Sequence, residues 1–402
     1  MASGRAGRPG LLSRSDSPAP SHSLPLTKHL LTFLRLALLA GGIVALVLLI
    51  DAEGADKVLD AIWLAAPWLP VLFLFEAAWV GWDVLAVRSL YGRAGKRVPW
   101  SMYIRSALIA YPFMRLLPAG RAGAEAARAT CLAPWVGAGR ASAVGVQAQA
   151  AGLAGNFLMS AICLGVVGAT LGPAHWIFVG LMINGTAGLV GSVLIFLAIR
   201  GRLGGFLGRR FAFLKQSGTT FDRHVRITPV FPPAAIFYSM LGRMTQGVQY
   251  VFFVVAVGGS FNVVSGIVAQ AIHIIAALVG DLVPSQLGVT DGAYSLAAQT
   301  PQLVSMFGLA AEATAAVFCI ALLGRLAQIF WSLVGALVPI VWKVPPGTMN
   351  RARRFATSHL LSAVGPTDPT GPTDQTVQTA SPATYAPASE KDSPTSDEGL
   401  LQ

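Results

Sequence analysis

The sequence has few charged residues and few cysteines, and each scarcity excludes a class of protein. Of its 402 residues, 12% are charged and 54% are hydrophobic, whereas a soluble domain carries about 25% charged residues. The three cysteines are widely spaced, which excludes a disulfide framework and offers no metal-ligand pattern. The sequence also lacks a nucleotide-binding loop, a nucleophile motif and a His/Cys cluster, so we expect neither a cofactor nor a metal.

Long apolar runs make up much of the sequence instead. Several of them approach or exceed the roughly 20 residues that span a bilayer as a helix, and the mean hydropathy is +0.62. The net charge of +11 lies mostly in short loops between these runs, which is typical of cytoplasmic loops rather than of a nucleic-acid-binding surface. The sequence therefore predicts an all-α polytopic membrane protein with about six to eight transmembrane helices and no nucleic-acid partner.

Composition also divides the chain into segments. Residues 1–26 are rich in Ser, Pro, Gly and Arg, and residues 357–402 in Thr, Pro, Ser and Asp, so both ends are expected to be disordered. Their side of the membrane is expected to be the cytoplasm, because basic loops lie next to them. The transmembrane domain is predicted at residues 27–345, with repeat halves at about 61–199 and 231–342 around a basic cytoplasmic loop at 200–228.

A charged, Pro/Gly-broken stretch, Leu117–Arg128, interrupts the apolar chain. Arg121, Glu125 and Arg128 are spaced i, i+4 and i+7, which places them on one helical face. The apolar pieces around the break are too short to span a bilayer, so they predict a re-entrant hairpin lining a wet or protein-filled site. The structural breaks are expected at Pro118, Gly120 and Gly123.

A second break, Val283–Asp291, repeats the order of Pro, Gly and a carboxylate in Pro284, Gly288 and Asp291. With the N-terminus inside and both breaks re-entrant, the second hairpin enters from the opposite side, as in the inverted repeats of many secondary transporters. An alternative is that residues 262–283 span the membrane, giving eight crossings. The apolar run 303–342 is expected to bend near Gly324 and Arg325, since a single helix of that length would be about 60 Å long.

Charged side chains inside apolar segments cost about 2.5–3.5 kcal/mol each at a helix centre, so they are functional candidates. Glu125 can pair with either neighbouring arginine and leave one positive charge, which suits an anionic headgroup such as a phosphate. The alternative is a cytoplasm-facing helix whose charges reach water. The expected substrate-binding residues are Arg115, Arg121, Glu125, Arg128, Arg243, Asp281 and Asp291.

Three further polar residues are candidates for a relay: His273, Glu312 and Arg325. A lone buried histidine is more often structural than a relay, and Arg325 or Glu312 could instead contact the broken segments. For Asp291, binding a cation or proton and capping a helix remain equal alternatives. No residue is predicted to be catalytic.

The two breaks resemble the paired motifs of the lysylphosphatidylglycerol synthase transmembrane family, also called the flippase-like family, over about residues 28–345. Its first motif is Pro-x-x-x-Gly-(x)-Glu-x-x-Arg and its second is Pro-x-x-x-Gly-x-x-Glu. The matching positions are Pro118, Gly123, Glu125 and Arg128, then Pro284, Gly288 and Asp291. This chain has one extra residue before Gly123, and an aspartate at the last position of the second motif.

The family includes the membrane half of the multiple peptide resistance factor, which is associated with moving aminoacylated phospholipid between leaflets. The resemblance implies a lipid translocase of the bacterial cytoplasmic (inner) membrane, with a membrane lipid as substrate and a lipid-modifying or glycosyltransferase enzyme as partner. Synthase activity is expected to be absent, because only about 60 residues follow the last apolar run.

Two other functions remain open from the sequence. A membrane transferase acting on a lipid-linked substrate would use Glu125, Asp281 or Asp291 as its general base. A scaffold would instead recruit a cytoplasmic enzyme through the basic loop and the tail.

Overall fold

The computed structural model is helical throughout the residues it describes, and no strand occurs among them. It describes residues 43–44, 46–117, 120–201, 221–226, 229, 231–281, 283, 286–311 and 313–343. The main helices are α1 Ala55–Ala65, α2 Leu69–Leu90, α3 Trp100–Leu116, α4 Gly120–Val136, α5 Ala138–Thr170, α6 Trp176–Arg200, α7 Pro233–Ala256, α8 Val263–Gly280, α9 Val289–Ala298, α10 Pro301–Met306 and α11 Thr314–Val341. The predicted all-α class is confirmed. The predictions for both chain ends, Pro118, Pro284, Glu312 and most of the basic loop lie outside the described residues.

Five helical segments of the described chain are long and apolar enough to cross a membrane. They are Ala55–Leu90, Ala138–Thr170, Trp176–Arg200, Val263–Gly280 and Thr314–Val341. This confirms a helical protein with the character of a multi-pass membrane protein. The number of crossings, the re-entrant hairpins and the inverted repeat stay predictions.

Helix α7 is 24 residues long but is not one of the five segments that are apolar enough to cross a membrane. Its hydropathy is reduced by polar side chains, among them Arg243, Gln246 and Gln249. It nevertheless packs between α2, α5 and α8, and Gln249 donates a hydrogen bond to the Leu72 carbonyl at 3.0 Å. A polar helix can occupy this position because its side chains find partners on neighbouring helices.

The first break joins two helices of 17 residues each, α3 and α4, which pack against one another. A Cβ atom at Gly120 would collide with the backbone carbonyls of Phe113 and Met114. Glycine is therefore required here, because α4 begins in direct contact with the last turn of α3.

The second break lies between α8 and α9. Gly288 has a φ of 77°, in the left-handed region, and the Asp291 carboxylate accepts a hydrogen bond from its backbone N–H at 2.9 Å. Asp291 thus caps α9, which was one of its two predicted roles. Tyr294 then fixes α9 to α8 by donating to the Ala269 carbonyl at 2.7 Å.

The predicted bend near Gly324 and Arg325 is wrong. Helix α11 is continuous from Thr314 to Val341, and the break in the last apolar run falls earlier, after α10. There Gly308 adopts a φ of 69° with Ser260 packed against it, a conformation that other residues adopt only with strain. At Gly324 the Phe253 ring lies 3.8 Å from the position of an added Cβ, which is an ordinary van der Waals contact.

Helix α11 contacts both broken segments, packing on α3 of the first and α9 of the second. Trp331 of α11 also donates to the Phe73 carbonyl of α2 at 2.9 Å. The two breaks are consequently positioned by one common helix.

The crossing of α11 and α3 depends on Gly335. A Cβ atom there would lie 2.7 Å from Cδ of Pro112 and would also meet the Leu108 carbonyl oxygen. We expect Gly335→Ala to destabilise the protein by about 1–3 kcal/mol, because overpacking forces the helices apart. Thermal unfolding in detergent measures this.

Gly165→Ala in α5 is the matched control. Nothing lies within 4 Å of the added Cβ, and alanine is favoured over glycine in a helix by about 1 kcal/mol. Equal melting temperatures for Gly335→Ala and the wild type would contradict the close crossing.

Candidate substrate cavity

A cavity of about 580 Å³ lies between the two broken segments. Helix α4 contributes Arg121 and Glu125, and the end of α8 contributes Asp281. Arg115 of α3 and Arg243 of α7 complete its charged lining. Five of the seven predicted substrate-binding residues therefore line one cavity, although this arrangement does not test their roles.

The two broken segments meet in an ion pair across this cavity. Arg121 Nε lies 3.6 Å from Asp281 Oδ2, and the two side chains are 36% and 45% exposed. Gln286 of the second break donates to the other oxygen of Asp281 at 2.9 Å. An exposed pair at this separation contributes about 0–1 kcal/mol, so the contact between the breaks is weak.

Arg128, predicted from the sequence, is buried beside the cavity and does not line it. Its guanidinium donates to Glu125 Oε1 at 3.1 Å and to the Asp83 carboxylate of α2. The other oxygen of Glu125, Oε2, is buried and has no hydrogen-bond partner in the described part of the chain. It faces α5, where an added Cβ at Gly145 would lie 3.4 Å from it.

Arg115 is held by a carboxylate that sequence reasoning missed. Glu76 of α2 is buried, and its Oε1 accepts a hydrogen bond from Arg115 at 3.0 Å and another from the Tyr111 hydroxyl. The Arg115 guanidinium also lies 5.0 Å from the centre of the Trp79 ring. Asp83 was missed in the same way. A charge within an apolar run was the available signal for both residues.

Arg243 has a different environment. It donates to Gln246 Oε1 at 3.0 Å, and no carboxylate among the described residues forms an ion pair with it. The lining residues and their partners comprise four arginines and four carboxylates: Arg115, Arg121, Arg128 and Arg243, with Glu76, Asp83, Glu125 and Asp281.

The charges of this group balance in number but not in position. Arg128 contacts two carboxylates, whereas Arg243 contacts none among the described residues. The first break carries two arginines and one glutamate, and Asp83 of α2 adds a second carboxylate beside Arg128. The site thus presents one unmatched guanidinium on α7 and one surplus carboxylate charge around Glu125.

Asp291 and Arg325 form a separate buried pair. Two hydrogen bonds of 2.8 and 2.6 Å join the guanidinium to the carboxylate, and Arg325 also donates to the Gln286 carbonyl at 2.8 Å. Asp291 is 0% exposed, and neither residue lines the large cavity. Arg325 therefore contacts the second break, as one alternative from the sequence held, and connects it to α11.

His273 of α8, one of the relay candidates, lines the large cavity. Three uncharged amides lie along the same surface: Gln149, Gln286 and Gln328. The lining thus combines both signs of charge with neutral hydrogen-bonding groups, an arrangement that can bind a polar group carrying phosphate and ammonium together.

Comparison of the chain with family models, with curated proteins and with solved structures finds no match in any of the three. The resemblance of the two motifs to the flippase-like family stays a prediction. The geometry of the cavity is therefore the basis for proposing a function.

The two ion pairs of the second break should differ in their effect on stability. Asp291→Asn removes the carboxylate charge from a buried ion pair with Arg325, and breaking such a pair costs about 3–5 kcal/mol. We expect a large fall in melting temperature in detergent.

Asp281→Asn is the matched control, because it makes the same chemical change in an exposed pair and should cost about 0–1 kcal/mol. Similar melting temperatures for the two variants would contradict the assignment of Asp291 as the structural member.

Proposed function

We propose that the protein is a membrane lipid translocase that moves a lipid with a headgroup of both charge signs between leaflets. The observation that carries the proposal is the cavity between the two broken segments, where Arg243 has no carboxylate partner among the described residues and Glu125 Oε2 has no hydrogen-bond partner among them. Such groups are costly among apolar helices unless a ligand supplies the missing partners.

The negative part of the headgroup is assigned to Arg243. A guanidinium can donate two parallel hydrogen bonds to a phosphate. Arg121 lines the same cavity, and Gly120, where α4 begins, also faces it. The N–H groups and the positive dipole end of a helix N-terminus favour an anion, so three features of the cavity suit a phosphate.

The positive part of the headgroup is assigned to Glu125. Its Oε1 already accepts from Arg128, which leaves Oε2 to accept from an ammonium group. Asp281 offers a second carboxylate on the other side of the cavity. A headgroup with both signs therefore finds complementary groups on both broken segments.

The weak Arg121–Asp281 pair suggests how the headgroup passes. A phosphate can replace Asp281 as the partner of Arg121, and an ammonium can replace Arg121 as the partner of Asp281. Substitution of both partners at once avoids leaving either charge unpaired, so the two segments can separate while the headgroup is bound.

The remaining parts of the proposal come from the resemblance and the charge pattern. They are a place in the flippase-like family, a location in the bacterial cytoplasmic membrane with both termini in the cytoplasm, and a lipid-modifying or glycosyltransferase enzyme as partner. The re-entrant geometry of the hairpins belongs to the same proposal.

Transport of acyl-labelled fluorescent lipids in proteoliposomes tests the function. We expect the wild type to move phosphatidylethanolamine, which carries both signs. Arg243→Gln should slow this about 10- to 100-fold, since a hydrogen bond to a charged group contributes about 1.5–3 kcal/mol. Arg93→Gln, in the short helix Gly92–Gly95 after α2, changes an exposed residue; it is the control and should transport like the wild type. Lipid movement by the wild type at no more than the rate in empty liposomes would contradict the proposal.

Glu125→Gln tests the assignment of the two charges. It should slow phosphatidylethanolamine but leave phosphatidylglycerol, which has no ammonium, at its wild-type rate, whereas Arg243→Gln should slow both lipids. Equal slowing of both lipids by Glu125→Gln would show that Glu125 acts on the fold and not on an ammonium group.

A further inference from the structure

His273 is a buried polar residue that the lipid sites described above do not use. It is 5% exposed, and its Nδ1 atom has no hydrogen-bond partner in the described part of the chain. Buried polar groups in native proteins nearly always have a partner, so each exception needs an explanation. The ring packs against Tyr250 with 5.3 Å between ring centres, a contact that does not satisfy the nitrogen.

The imidazole lies between two cavities. On one side it lines the cavity of about 580 Å³. On the other it lines a void of about 10 Å³ together with Tyr250, Thr290 and Arg325. A void of this size is close to the smallest that holds one water molecule. The imidazole is thus placed to exchange a proton with water at the inner end of the cavity.

The groups that face His273 are mostly cationic. The charges acting on it are Arg115 of α3, Arg243 of α7 and Arg325 of α11. Of the titratable side chains on neighbouring helices, Tyr250 of α7 contacts His273, and Cys163 of α5 and Tyr294 of α9 donate to backbone carbonyls of α8. Glu125 and Asp281, the carboxylates that line the cavity with His273, are each paired with an arginine.

A proton on His273 adds a positive charge beside Arg243, which has no carboxylate partner among the described residues. A phosphate bound at Arg243 supplies the compensating negative charge. Headgroup binding and protonation of His273 therefore favour one another, and by linkage each strengthens the other by the same factor. An unperturbed histidine exchanges a proton near physiological pH; at His273 the three arginines oppose a further positive charge, so the proton is taken up only together with the phosphate.

We infer that His273 is the proton site of the cavity, and that a proton is transported together with the phosphate-bearing headgroup. The inference rests on the proposed function. The imidazole takes one proton from the aqueous side to which the cavity is open. It releases that proton on the other side when the phosphate leaves, so no other reactant is needed.

Calorimetry with dihexanoyl phosphatidylethanolamine, a short-chain probe, tests the coupling between pH 8 and pH 5.5. We expect binding to tighten about tenfold as the pH falls, a typical coupling between two sites. Buffers of different ionisation enthalpy should show uptake of at most about half a proton per lipid bound, which is the amount that a tenfold coupling allows. His273→Gln should bind with a pH-independent affinity and take up no proton.

His175→Asn is the matched control. His175 caps α6 by accepting a hydrogen bond from the Ile177 N–H at 3.3 Å, and asparagine retains a cap, so this variant should keep the wild-type pH dependence. Burial and the Arg140 guanidinium lower the pKa of His224 to about 4, which is below the range measured. A melting temperature of His273→Gln near that of the wild type verifies folding.

Transport rates in proteoliposomes distinguish a failure of this inference from a failure of the proposed function. With phosphatidylethanolamine vesicles, wild-type transport should depend on an imposed pH gradient, and His273→Gln should transport independently of it. Lipid movement without proton uptake or gradient dependence overturns the inference and leaves the proposed function standing. Unchanged proton uptake in His273→Gln also overturns it, and the absence of any lipid movement overturns both.

Discussion

The pairing of charges between apolar helices is the constraint on which the rest of the structure depends. An unpaired charge in this setting costs several kcal/mol, so the arginines of the two breaks need partners on neighbouring helices. Glu76 and Asp83 of α2 supply them for Arg115 and Arg128. Helix α2 thereby fixes both α3 and α4, which are each too short to be among the five span-length helices, and so positions the first break.

The same constraint explains how far the sequence was informative. Local spacing placed Arg121, Glu125 and Arg128 on one face, and the structure has the first two in the cavity and the third behind it. The class of fold and the helices around each break followed from the length of the apolar runs and from Pro and Gly. The partners Glu76 and Asp83 could not be predicted, because pairing across 39 or 45 residues depends on helix packing that no local pattern encodes.

The second break shows why similar motifs can serve different purposes. Asp281 and Asp291 flank the same turn, yet one is 45% exposed in its side chain and the other is fully buried. From the sequence alone both were substrate-binding candidates, with helix capping as the alternative for Asp291. Burial distinguishes them, since Asp291 is occupied by Arg325 and by the N–H of Gly288, whereas Asp281 retains access to the cavity.

This difference determines where the cavity can open at least cost. Separating Arg325 from Asp291 would break a buried ion pair, a loss of about 3–5 kcal/mol, so α9 and α11 are expected to move as one unit. Separating Arg121 from Asp281 exposes both groups to water or to a headgroup, and costs about 0–1 kcal/mol. A movement between the two breaks therefore needs only the binding energy of a small polar group. A headgroup with one charge sign would leave either Arg121 or Asp281 unpaired, so the geometry favours a ligand that carries both.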